Sequence, residues 1–407
     1  MPFSVSARLA GMMFLTYLIW GSWYMTVGTY LTATLKFSGT QAGAVFGTTA
    51  LASMISPLIV GLVADRFFAT ERVLSTLFFL GAIVLWLIPQ ATSFTAVYSL
   101  LLLYCLIFFP AVPLTNSLAM RQMTNPESQF PPIRIFAPIG WILISVLVSW
   151  LGIEAQSTPF LIASVCSVVM GVFCLILPHT PPGAAGTKTT WKSLLGLDAL
   201  VLLKDRSYFV FLIASVLACI PLTFYFSFTN AYLNAVGVVN AAGKMSLGQA
   251  SEVLVTLAMP WVFKRISIKN VLLIGLATWA LRYVLLAFGN AEDGMWMFYA
   301  AILIHGVCYT FFFFAGSIYT DSIAPPALRN TAQGLLTFMT YGIGMFLGSF
   351  ISGTAVDLFT TTVGGVEQRN WMGFWLTSAA GAGVIALMLL LVFRGEKKAE
   401  TAQVFAK

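Results

Sequence analysis

Glu252 stands in an otherwise apolar stretch, 12 residues before Lys264. That separation is about 18 Å along a helix. Gln249 lies three residues earlier and shares its helical face. An amide and a carboxylate on one face can read the polar edge of a base or the hydroxyls of a ribose. The same pair also suits a structural carboxylate bonded to a neighbouring helix. His305 and Tyr309 sit four apart and share a face. A histidine that titrates near neutrality can relay a proton. A neutral histidine hydrogen-bonded among helices fits equally well. Arg134 follows Pro131 and Pro132 at the start of an apolar segment, where an arginine ordinarily snorkels to the polar edge. Trp141 lies seven residues on, two helical turns, so the two can share a face. As a lone residue, Trp141 reads as packing.

The elements that carry these residues follow from composition. The chain has 407 residues, 59% hydrophobic and 9% charged. Its mean hydropathy is +0.91. A soluble domain carries about 25% charged residues. A soluble enzyme, a disordered chain and a coiled coil are excluded. So is a transmembrane β-barrel, whose alternating strands give a weak hydropathy signal. An all-α polytopic membrane protein remains, because helices satisfy their own backbone in lipid.

Twelve spans are expected, at 11–32, 42–62, 73–91, 95–120, 134–152, 159–177, 208–233, 245–263, 270–289, 295–319, 330–355 and 371–393. The first is too long for a signal-peptide core and is kept in the mature chain. With the N-terminus in the cytoplasm, the outside segments hold only Lys36, Lys244 and Arg369, and Arg282 falls within a span. Every other lysine and arginine lies inside, so both termini are expected to be cytoplasmic. The net charge of +7 reflects this topology and lipid contact, not nucleic-acid binding.

The five cysteines fall within spans and show no metal-ligand spacing, so free thiols and no metal are expected. There is no nucleophile–base pair and no phosphate loop, which argues against an enzyme. No cofactor is expected. No extra soluble domain is present to transmit a signal, which argues against a receptor.

The longest connection, about 178–206, opens with Pro178, Pro181, Pro182 and Gly183. It continues from Trp191 as an amphipathic interfacial helix. Six spans, a cytoplasmic linker and six spans is the layout of the major facilitator fold. The expected division is an N-terminal half at 1–178, a linker at 179–206, a C-terminal half at 207–394 and a tail at 395–407. Gly342–Gly348 and Gly381–Gly383 read as small-residue faces for close helix approach. Gly61-Leu-Val-Ala-Asp65-Arg66 resembles the superfamily signature in which the Asp caps a helix and latches the outward-open state. A plain charged turn fits the same six residues.

Several segments in chain order resemble the nucleoside:proton symporters of that superfamily. They are Trp20-Gly-Ser-Trp23, Phe130-Pro-Pro-Ile-Arg134-Ile, Leu195-Gly-Leu-Asp-Ala-Leu, Gln249-Ala-Ser-Glu252, Ile268-Lys-Asn-Val and Ala332-Gln-Gly. The resemblance implies a monomeric bacterial inner-membrane carrier that imports nucleosides by alternating access, coupled to protons. It implies substrate contact by Gln249 and Glu252, a cavity-facing Arg134, an aromatic near the substrate at Trp141, and site-lining residues at His305 and Tyr309. A sugar or glycoside carrier of the same fold, or an uncoupled facilitator, is the alternative.

Two departures matter. The family carries an Asp directly after the aromatic at Tyr309, implicated in proton coupling, and here that residue is Thr310. Threonine holds no titratable proton, so coupling either passes to Glu252 or His305 or is lost. The family's substrate-binding amides in span seven fall near Thr223 and Phe226, and neither is an amide.

Overall fold

The structure is a computed structural model that describes residues 2–59, 68–181, 197–364 and 366–393. Each expected span falls on helix over most of its described residues. The helices are α1 (Phe3–Thr34), α2 (Gly39–Ile59), α3 (Thr70–Gln90), α4 (Phe94–Arg121), α5 (Ser128–Trp150) and α6 (Thr158–Cys174). They continue as α7 (Arg206–Ala235), α8 (Ala241–Phe263), α9 (Ile268–Phe288), α10 (Met295–Ile323), α11 (Arg329–Leu358) and α12 (Trp371–Val392). Among the described residues, nine of the helices are long and apolar enough to cross a membrane. Of the rest, α6 is shorter, α2 is rich in small and hydroxyl residues, and α8 carries Gln249 and Glu252. A short antiparallel hairpin, β1 (Thr360–Val363) and β2 (Val366–Arg369), joins α11 to α12.

Among the described residues, three helices contain π-helical turns, at Tyr30–Thr34 in α1, Thr310–Phe314 in α10 and Phe338–Gly344 in α11. Such turns are rare and gather at functional sites, because they rotate the side chains that follow. In α10 the widened turn starts at Thr310.

The chain divides into two compact units. One comprises Met1–Phe37, Ala44–Trp191 and Asn240–Ser246; the other comprises Ser38–Gly43, Lys192–Val239 and Leu247–Lys407. The first turns of α2 and α8 therefore belong to a different unit from the rest of their helices. In the first unit, α1 packs on α5 and α6, and α3 on α6. The buried Glu71 carboxylate joins the start of α3 to the segment after α6, accepting from Thr180 N at 3.0 Å and meeting His179 Nδ1 at 2.7 Å. In the second unit, α9 packs on α12, and α7 on α11 and α12.

Each unit holds an acid-capped helix start. In the second, Asp357 near the end of α11 accepts from Gly39 N (2.6 Å), Thr40 N (2.7 Å) and Thr40 Oγ1 (2.5 Å) at the start of α2. In the first, Glu154 after α5 accepts from Ala242 N at 2.9 Å and from the Ser149 hydroxyl, whose oxygen accepts from Gly243 N at 2.7 Å. A carboxylate there satisfies orphan N–H groups and opposes the positive end of the helix dipole. Asp357→Ala is expected to destabilise the protein by about 1–3 kcal/mol. The apparent Tm in detergent should fall by several degrees, and an unchanged Tm would show that the cap carries no stability.

Three expectations need adjustment, and a fourth falls outside the described residues. The first helix starts at Phe3, eight residues before the expected 11. The linker helix is not a regular α-helix where it is described: Leu197–Lys204 is a 3₁₀ helix with Ala199 and Leu202 buried, and 191–196 lies outside the described residues. Asp65 and Arg66, the expected latch, also lie outside them. The two glycine runs differ. A Cβ on Gly348 would meet Thr223 Oγ1 at 2.5 Å and Cys219 O at 2.9 Å, whereas Gly381 and Gly383 have nothing within 4 Å among the described residues. Gly348 admits α7; the α12 glycines admit no described helix. All five cysteines are free.

Candidate functional site

In the first unit, α5 opens with a proline-bearing segment that ends at Arg134. Its Nη2 donates to the Tyr17 hydroxyl at 2.6 Å, and its guanidinium carbon lies 4.5 Å from the centre of the Tyr17 ring. Trp141, two turns on, meets α1 one turn further along, with Trp20 at 5.4 Å and Tyr24 at 5.9 Å between ring centres. Gly21 makes room for it: a Cβ there would lie 3.1 Å from the indole. Arg134 and Trp141 thus meet one helix, as their seven-residue spacing allows. The indole is 8% exposed, and its Nε1 has no hydrogen-bond partner among the described residues. Trp23 is deeper, stacked on Phe160 at 5.8 Å, and belongs to the core.

In the second unit, α7, α8, α9 and α10 meet around His305. Two glycines bring α8 and α10 together. A Cβ on Gly306 would fall 2.5 Å from the Ser251 backbone carbon, and one on Gly248 would fall 3.2 Å from His305 Cβ. That approach sets Glu252 Oε2 3.9 Å from His305 Nε2. The imidazole is fully buried, stacked on Tyr225 at 5.3 Å and 22°, with Phe226 edge-on at 5.9 Å. Arg282 of α9 reaches His305 Nδ1 through Nη1 at 2.8 Å, and its guanidinium lies 3.4 Å from the centre of the Tyr225 ring. Arg282 is itself fully buried. The Glu252 side chain is 34% exposed, so the carboxylate is the more open end of the chain Glu252–His305–Arg282.

Gln249 is one turn before Glu252, and its Oε1 is buried without a hydrogen-bond partner among the described residues. The Tyr309 hydroxyl is bonded to that of Tyr341, which lies in the π-helical turn of α11. Thr310 is buried with its hydroxyl 3.3 Å from Thr256 Oγ1. Thr223 lies on α7, against α11. Its hydroxyl donates to Ile220 O at 2.7 Å, and the side chain is buried beneath Gly348, so it is occupied in packing.

Sequence reasoning missed Arg282, Tyr225 and Tyr341. The signal for Arg282 was present, because a charge within a span is expensive and marks a pathway or a partner. The tyrosines carry no such signal.

A family model for the nucleoside H⁺ symporters matches residues 3–398. The chain belongs to that family. Within the nucleoside H⁺ symporters, it is 38% identical over 98% of its length to the Escherichia coli K12 protein named "Putative nucleoside transporter YegT", covering 96% of it. It is 31% identical to nucleoside permease NupG of the same organism, covering 96% of each chain. A crystal structure of nucleoside transporter NupG superposes with a TM-score of 0.89 at 31% identity, over 96% of this chain and 100% of that one. Peptide transporters at 16% identity and a TM-score of 0.75 share the fold alone. The fold of this symporter family member is the major facilitator fold.

Proposed function

We propose that this protein imports nucleosides across a bacterial inner membrane by alternating access, coupled to protons, with both termini cytoplasmic. Membership of the nucleoside H⁺ symporter family over nearly the whole chain carries this reading. The side chains support it. Gln249 Oε1, one turn from Glu252, is a buried polar atom with no hydrogen-bond partner among the described residues, which suits a group that meets a solute. Arg134, Trp141, Gln249, Glu252, Phe226 and Tyr309 are the proposed substrate residues. Glu252 and His305 are the proposed proton site, since Thr310 supplies no acid. The sugar reading is not favoured, because the family model that covers nearly the whole chain is that of nucleoside symporters. The proposal treats the protein as a monomer with no enzymatic activity and no cofactor.

Uptake of tritiated uridine, adenosine and xanthosine into cells expressing the protein tests this directly. Accumulation that collapses with a protonophore is expected. Equal uptake with and without it would overturn the coupling, and no uptake of any nucleoside would overturn the substrate class.

A further inference from the structure

We propose that Arg282 is a positioning residue for proton coupling: by donating to Nδ1 of His305 it fixes the ring's proton on Nε2, the atom that faces Glu252, and so makes Glu252 and His305 one proton-holding pair. The inference rests on the proton-coupled reading above and names a component of it that the sequence does not suggest.

The hydrogen bond decides the tautomer. A guanidinium has only donors, so the 2.8 Å contact from Arg282 Nη1 makes His305 Nδ1 an acceptor. The one proton of the neutral ring then sits on Nε2. Nε2 has no hydrogen-bond partner among the described residues, and the nearby Glu252 Oε2 is 3.9 Å away. The ring cannot turn to escape this. Tyr225 stacks on one face, Phe226 meets it edge-on, and α8 closes in at Gly248. This is the arrangement in which an outer partner sets the tautomer and direction of a working histidine.

Packing alone does not account for Arg282. Its side chain is 0% exposed within a membrane helix, and Nε and Nη2 have no hydrogen-bond partner among the described residues. A charge in that setting is costly and marks a partner or a pathway. The titratable and charged groups around the pair come from every packed element. They are Tyr225 on α7, Glu252 on α8, Arg282 and Tyr283 on α9, and Cys308 and Tyr309 on α10, the last bonded to Tyr341 of α11.

The proton balance is simple. An incoming proton binds one oxygen of the Glu252 carboxylate, forming one O–H bond and breaking none in the protein. Release to the other side breaks that O–H bond and restores the carboxylate. Before loading, the charges of Arg282 and Glu252 cancel. After loading, the site carries one positive charge, so the membrane potential acts on the loaded form. The proton cycles on Glu252, and His305 keeps its Nε2–H facing the carboxylate.

Two measurements test the assignment. The chain has two histidines. In ¹⁵N-histidine-labelled protein carrying His179→Gln, the remaining signal should be that of an Nε2-protonated ring; an Nδ1-protonated ring overturns the proposal. In proteoliposomes, Arg282→Met should lower pH-gradient-driven accumulation of tritiated uridine by about tenfold or more, while uridine exchange, which moves no net proton, stays within about threefold. Arg282→Lys, which keeps a donor, should recover most of the accumulation. Equal loss of accumulation and exchange in folded Arg282→Met would mean a merely structural arginine, and unchanged accumulation would mean no role. Failure of the wild-type protein to exchange any nucleoside would instead refute the functional reading.

Discussion

Glu252→Gln is expected to abolish concentrative uptake while leaving the protein folded. The substitution keeps the shape of the side chain and one hydrogen-bonding oxygen, but it removes the only group of the pair that cycles between charged and neutral. The driving force sets the size of the effect. One positive charge crossing a potential of about 100 mV gains about 2.3 kcal/mol, enough for roughly 50-fold accumulation. With an amide in place of the carboxylate no proton is carried, and accumulation should fall toward equilibration. Exchange of labelled for unlabelled nucleoside should fall less, because it moves no net proton and the amide keeps an oxygen with which to meet the substrate. The accumulation ratio measured in energised vesicles decides the matter. Full retention of concentrative uptake would remove Glu252 from coupling, and with it the role inferred for Arg282.

The helices were legible because each one needs an apolar stretch, and such a stretch survives any detail of packing. The limit of that signal shows at the first helix. Ser4, Ser6 and Arg8 lower the hydropathy, yet the backbone continues as helix from Phe3. The short linker helix shows another limit. Its apolar pattern is real, with Ala199 and Leu202 buried, but the chain takes the tighter 3₁₀ form. At the candidate site, same-face spacing placed Gln249 with Glu252 and Arg134 with Trp141, because such spacing lies within one helix. What lies across from a helix is not written in its own spacing. Arg282 was visible as a charge in a span, but its partner, His305, is 23 residues away on another helix. Thr223 shows the same limit. Its position followed from the family pattern, while its hydroxyl is taken by its own helix and its side chain by Gly348. The π-helical turns at Thr310 and Phe338 leave no period in the sequence either, since they depend on how neighbouring helices seat.

The two glycine runs, alike in sequence, are expected to respond in opposite ways to the same substitution. Gly348→Leu places a branched side chain where α7 already stands. A Cβ alone would lie 2.9 Å from Cys219 O and 3.0 Å from Ile220 Cα, and backbone atoms cannot rotate aside as a side chain end can. Gly344, one turn earlier, meets the same helix, with its hypothetical Cβ 2.8 Å from Cys219 Cβ. The contact is therefore a continuous seam along α7 and α11, and separating the two helices would also move the π-helical turn that holds Tyr341. Overpacking in a filled interior costs about 1–3 kcal/mol when side chains can adjust, and more where backbone must move. Loss of most folded protein, read as the monodisperse yield in detergent, is the expected outcome. Gly381→Leu meets nothing within 4 Å among the described residues. It should preserve yield and Tm, or raise Tm slightly, because leucine is the better helix former by somewhat under about 1 kcal/mol. A normal yield and Tm for Gly348→Leu would mean that α7 and α11 do not pack through this face. A collapse of Gly381→Leu would mean that α12 has a neighbour along its glycines after all.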